Sequence, residues 1–370
     1  MPILTTTIGS YPKPSYVPVA NWWRLKDSGV HVPTTTHTEH LEQRAYDNRE
    51  ILDRGTRAAV LDQVEAGIDI PTDGEIRREH YVYYHCRQLR GIDFARLTRK
   101  SMRGGTWEAE VPTITNEIVA GSPFLVDDWR YASSVTNRPV KITVPGPMTI
   151  MDSMADSYYG EERRLGAALA DAINVEIRAL AEAGCEWIQV DEPVFARYPE
   201  MAAAYGIDLL SRCFYDVPPS VVRMAHVCCG YPSGLDKEHY EKAAPDSYFA
   251  IADALEEAPI DVLSLEDAHR HNDLSLLERF SDTRIALGVI DIARTRIETV
   301  DEIVARLEEA LAHIDAERLL AAPDCGLSML DRDKAWAKLA VLSRAAKAVS
   351  GSHKAYGQPQ AHGTRSIWQV

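Results

Sequence analysis

The sequence is short of cysteine pairs, of basic charge and of long apolar runs. Its six cysteines stand at 86, 185, 213, 228, 229 and 325, and no Cys-x-x-Cys pair occurs among them. A zinc ribbon is thereby excluded, and six scattered cysteines in 370 residues do not read as a disulfide framework. Lys and Arg number 40 against 55 Asp and Glu, a formal net charge of −15. That deficit of positive charge argues against a nucleic-acid binder and against an anionic membrane surface. No apolar run approaches the roughly 18–20 residues that span a bilayer. The first residues, Met1-Pro2-Ile3-Leu4-Thr5, lack the basic-then-apolar pattern of a secretory leader, so a cytoplasmic location is expected. No repeat or low-complexity tract stands out.

What is present suits a large core: 45% of the residues are apolar and 26% charged. Eight short apolar runs each end in polar or turn-forming residues: 5–8, 67–70, 140–144, 186–190, 221–225, 260–265, 284–289 and 319–322. Runs of four to six apolar residues fit strands buried on both faces of a parallel sheet. Helical periodicity separates most of them, over 42–66, 165–183, 300–314 and 333–349. Eight alternating units predict an α/β fold of the (β/α)8 TIM-barrel type, with its working residues at the strand C-terminal ends. The whole chain, 1–370, reads as one such zinc-binding domain. Residues 76–137 are too long for a simple connection and predict an inserted cap or arm after the second strand, suited to an interface between copies of the chain. Residues 11–40, with Pro12, Pro14, Pro18 and Trp22-Trp23, predict an irregular excursion over the barrel mouth. Residues 351–370 predict an extended polar tail.

Chemistry gathers at the strand ends. His226 and Cys228 are two apart, so a strand presents imidazole and thiolate on one face. Glu266 ends the next run and Cys325 the last. On a barrel these four converge, and two thiolates, an imidazole and a carboxylate suit Zn2+. With Glu266 as the exchangeable ligand, an incoming thiol takes its place and becomes a thiolate nucleophile. A lone buried cysteine is more often inert packing. Cys86, Cys185 and Cys213 are assigned that role, and Cys229 should face away from Cys228.

Six motifs, Ile8-Gly9-Ser10, Thr72-Asp73-Gly74-Glu75, Val190-Asp191-Glu192-Pro193, His226-Val227-Cys228, Glu266 and Pro323-Asp324-Cys325-Gly326-Leu327, occur in an order that resembles the catalytic barrel of cobalamin-independent methionine synthases. The resemblance spans nearly the whole chain. It implies a (β/α)8 barrel, zinc held by His226, Cys228, Glu266 and Cys325, and a homocysteine grip at Ile8, Ser10, Glu75 and Asp191, the last two also as catalytic carboxylates. Two carboxylates can hold an amino group, and Ser10 with nearby N–H groups a carboxylate. The implied reaction moves a methyl group to homocysteine from folate, a methylcobamide protein or another donor. Where the resemblance implies a folate-stacking Trp, this chain runs Met148 to Met154 without an aromatic. Where it implies a proton-donating His, it has Ala293, followed by Arg294.

Epoxyalkane:coenzyme M transferases resemble the same barrel. In that alternative a cationic pocket must hold the sulfonate of coenzyme M, and Arg77, Arg78, Arg294 and Arg296 are the candidates, with Arg77 also a candidate substrate contact. His80, Tyr83 or Tyr84 would then donate the proton. Arg77-Arg78 otherwise reads as a solvated loop or a partner for acidic groups. His269 and His271 read either as orienting groups for Glu266 or as an exposed loop. A barrel resembling uroporphyrinogen decarboxylase, which needs no zinc, and a metal-storage protein are the remaining alternatives.

Overall fold

Strong apolar runs flanked by amphipathic helices produce a parallel sheet wrapped by helices. The computed structural model describes residues 3–19, 48–102, 107–238 and 241–356. The central sheet has seven strands: β1 (Leu4–Thr5), β4 (Lys141–Pro145), β6 (Trp187–Asp191), β7 (Val222–Val227), β8 (Val262–Leu265), β9 (Arg284–Ile290) and β10 (Leu319–Pro323). They lie in the order β1-β10-β9-β8-β7-β6-β4, every pairing parallel. All residues of β4, β6, β8 and β10 are buried, which is why the sequence shows these strands as mainly apolar runs. The run at 67–70 forms no full strand. Ile70 at its end bridges Thr6, next to β1, and Thr72 two residues on bridges Lys141 of β4, so segment 70–72 lies between the two edges of the sheet.

The helix Glu162–Glu182 turns Leu165, Leu169, Ile173, Ile177 and Leu180 into the core, the i, i+4 stripe read from the sequence. The helix Arg49–Glu65 buries Leu52, Ala59 and Val60. Val300–Ala310 starts on a capping box formed by Thr299 and Glu302 and ends earlier than expected. It buries Ile303, Leu307 and Ala310, with Val304 partly buried against the same core. The last helix, Arg332–Tyr356, runs longer than expected and includes residues 351–356, so the extended tail does not begin at 351.

The stretch 76–137 holds a short helix, Tyr81–Cys86, then a long antiparallel hairpin of β2 (Arg90–Met102) and β3 (Trp107–Val119), then the helix Leu125–Ser134. A two-residue strand, β5 (Ala155–Asp156), pairs with β3 and ties the hairpin back to the segment after β4. Lys100 strengthens that tie by donating to the carbonyls of Met151 and Met154 at 2.6 and 2.7 Å. The excursion expected at 11–40 lies, from residue 20 on, outside the described residues, as does the tail beyond 356. Among the described residues no helix is long and apolar enough to cross a membrane.

Candidate metal centre

Parallel strands deliver their last residues to one rim. There, His226, Cys228 and Cys325 place one ligand atom each within 4.8 Å of one another. His226 and Cys228 are buried, and Cys325 is half-buried. The imidazole is oriented by both neighbours: Nε2 faces Cys325 Sγ at 3.4 Å and Nδ1 lies 3.1 Å from Ser264 Oγ. A hydroxyl on Nδ1 leaves Nε2 directed at the thiols, the arrangement a ligating histidine needs. The thiols of Cys228 and Cys325 interact. Donation by Cys325 pulls the Cys228 thiol well below its ordinary value and holds that of Cys325 well above it. Burial disfavours charge on His226, yet nearby Cys228, Asp191 and Glu266 outweigh it and raise its pKa. A soft, buried donor set of one nitrogen and two sulfurs fits a metal ion that takes thiolates.

Glu266 sits beside this group but is not one of the three. Its Oε1 accepts from Lys242 Nζ at 2.5 Å and its Oε2 from the Cys229 N–H at 2.6 Å. Burial raises its pKa, with Lys242 opposing. Lys242 has no marker in the sequence beyond being one lysine in a polar loop. Cys229, just past the end of β7, lies outside the cluster and is buried against the core.

Across the rim, Glu75 adopts a left-handed backbone with φ 54°. Its Oε1 accepts from Thr143 Oγ1 at 2.7 Å and from Arg78 at 3.3 Å. A Cβ on Gly9 would stand 2.6 Å from that oxygen, which is why glycine follows Ile8. Ser10 meets the segment that follows Cys325: its carbonyl accepts from the Leu327 N–H at 2.7 Å, and a Cβ on Gly326 would collide with its hydroxyl. Asp191 pairs in register with His226, and burial pushes its carboxyl up to about 7. Ile8 is buried at the end of the same rim.

The arginines expected to form a cationic pocket each face a carboxylate. Arg77 pairs with Asp53 and Asp128, Arg294 lies 3.9 Å from Asp291, and Arg296 pairs with Glu302. Arg78 is only 4% exposed and is bound by Glu75 and Thr143, a buried strut rather than a solvated loop. His80 caps the helix Tyr81–Cys86, Tyr83 OH faces the Ser153 carbonyl at 3.4 Å, and Tyr84 OH bonds Asp128 at 2.8 Å. His269 faces Asp291 at 3.4 Å, while His271 is exposed.

A parallel α/β sheet with an imidazole and two thiols gathered at its strand ends defines a protein able to hold a thiophilic metal beside a ring of carboxylates. The family model for the cobalamin-independent synthase catalytic domain matches residues 3–203 and 234–348, leaving the stretch with His226 and Cys228 between the matched spans. The methionine synthase of Saccharolobus solfataricus is 30% identical over 361 residues, 96% of this chain and 98% of that protein. That of Sulfolobus acidocaldarius is 32% identical over 336 residues, 90% of this chain and 88% of the relative. A solved B12-independent methionine synthase from Shewanella sp. W3-18-1, in complex with selenomethionine, superposes with a TM-score of 0.82 at 29% identity, over 96% of this chain and 100% of that one. The chain belongs to the cobalamin-independent methionine synthase family.

Proposed function

We propose that the protein is a zinc-dependent methyltransferase that methylates the sulfur of homocysteine to give methionine. It works within a single (β/α)8 barrel, in which segment 70–72 supplies the missing strand and 76–137 forms an inserted arm. The observation that carries the proposal is the convergence of His226, Cys228 and Cys325 on the rim that also bears Ser10, Glu75 and Asp191. When bound there, zinc supplies the positive charge that stabilises a guest thiol as its anion at neutral pH.

The chain's own residues do the rest. Glu75 and Asp191 hold the ammonium group of the amino acid. Ser10, beside Gly326, donates to its carboxylate. Together they fix the sulfur against the ligand cluster, converting an encounter into an oriented attack. The sulfur–methyl bond forms as the donor's bond to that methyl breaks, and the electron pair leaves with the donor. The coenzyme M alternative loses its support, because Arg77, Arg78, Arg294 and Arg296 all face carboxylates already.

Metal analysis of the purified protein is expected to give about one zinc per chain, and Cys325→Ala little or none. With homocysteine and a methyl donor, methylcobalamin or 5-methyltetrahydrofolate, mass spectrometry should find methionine only with the metal-loaded wild type. Full metal content and turnover in Cys325→Ala would refute the assignment. Thioether formation from coenzyme M but not homocysteine would replace it with the alternative.

A further inference from the structure

Two long polar side chains lie inside the central strands, Lys141 on β4 and Gln189 on β6, both with no exposed surface. Lys141 Nζ donates to Gln189 Oε1 at 2.5 Å and touches Met224 Sδ at 3.4 Å. Gln189 Nε2 donates to the Ile8 carbonyl at 2.7 Å and to Asp191 Oδ1 at 2.6 Å. A peptide carbonyl only accepts, so the amide atom facing Ile8 is the nitrogen, and the oxygen is left for Lys141. The amide therefore has one orientation in which every partner is satisfied, and in it a donor points at Asp191. Gln189 and Asp191 stand two apart on one strand and share its face, so the amide supports the carboxylate from below. Breaking any link strands a buried polar atom.

We propose that Lys141 and Gln189 are positioning residues that pin Asp191 Oδ1 and thereby present Oδ2 to the ammonium group of a bound amino acid. This rests on the reading of Asp191 as part of the amine grip. The Ile8 carbonyl ties the same amide to the chain segment that carries Ser10. Both ends of the amino acid are thus referenced to one buried amide.

Calorimetric titration of the zinc-loaded, full-length protein with L-methionine and with its des-amino analogue, 4-(methylthio)butanoate, tests this. The wild type is expected to bind L-methionine about tenfold more tightly than the analogue. Gln189→Met should weaken L-methionine about tenfold and Lys141→Met about threefold, while the analogue changes less than about twofold and zinc content stays constant. A folded Gln189→Met protein that binds L-methionine as the wild type does, or that loses both ligands in equal proportion, overturns the proposal. If Gln189→Met does not fold, Lys141→Met decides alone, and unchanged L-methionine affinity overturns it. A wild type that does not distinguish the two ligands instead refutes the amine grip, and the positioning role falls with it.

Discussion

Glu75 shows how a single side chain is placed by the room its neighbours leave. Its left-handed backbone costs on the order of 1–3 kcal/mol for a residue other than glycine, and Thr143 and Arg78 hold the carboxylate that results. Gly9 leaves the space that carboxylate occupies. Gly9→Ala is therefore expected to displace Glu75, weakening L-methionine about tenfold with zinc content unchanged, as calorimetry and metal analysis would read. At this scale the sequence was legible where residue type and strand spacing coincide. His226 and Cys228 announce a shared face, and Glu75 and Asp191 end apolar runs. Lys141 and Gln189 also carried a signal, since a lysine and a glutamine interrupt apolar strands at two-residue spacing from Thr143 and Asp191. Arg78 carried none, because a buried and a solvated arginine look alike until Thr143 and Glu75 are brought to it. Lys242 was equally silent: its partner, Glu266, lies on a different loop.

Among the elements, the strands of the central sheet were the easiest to read and the hairpin of β2 and β3 the hardest. Burial on both faces makes β4, β6, β8 and β10 mainly apolar runs, whereas β2 and β3 are half-exposed, long and rich in charge. Their pairing depends on contacts that no local pattern encodes, such as Lys100 on the carbonyls of Met151 and Met154. That ammonium caps the end of the helix Pro147–Ser153. Lys100→Met should cost about 1–2 kcal/mol and speed hydrogen exchange of amides around 151–156, which mass spectrometry would detect. The helix Leu125–Ser134 offers a pH test. Burial, despite Arg77, pushes the Asp128 carboxyl up to about 6 from 3.8. The folded protein then holds this proton more tightly than the unfolded chain does. Its contribution is present at low pH and declines as pH rises from about 4 through 6. Asp128→Asn should remove that decline, narrowing the difference in unfolding free energy by at most a few kcal/mol across the window, measured by urea titration at several pH values.

For the molecule as a whole, a metal at this rim would join strands β7 and β10 to the same ion. Binding to the folded state alone stabilises by mass action, about 4 kcal/mol at a thousandfold excess over the dissociation constant. Stripping the metal should lower the melting temperature by several degrees, and added Zn2+ should restore it. Calorimetric scans in which chelator and Zn2+ leave the transition unmoved would exclude a resident ion.

The contact between Ser10 and Gly326 joins the first strand's end to the last strand's end. On a ribosome, His226 and Cys228 emerge while Cys325 is still unsynthesised, and Ser10 has no counterpart to close against. The nascent chain thus holds only two of the three cluster ligands, a weaker trap for a passing cation. Any metal loading would then follow translation, and a product terminated before Cys325 would keep only two of the three cluster side chains.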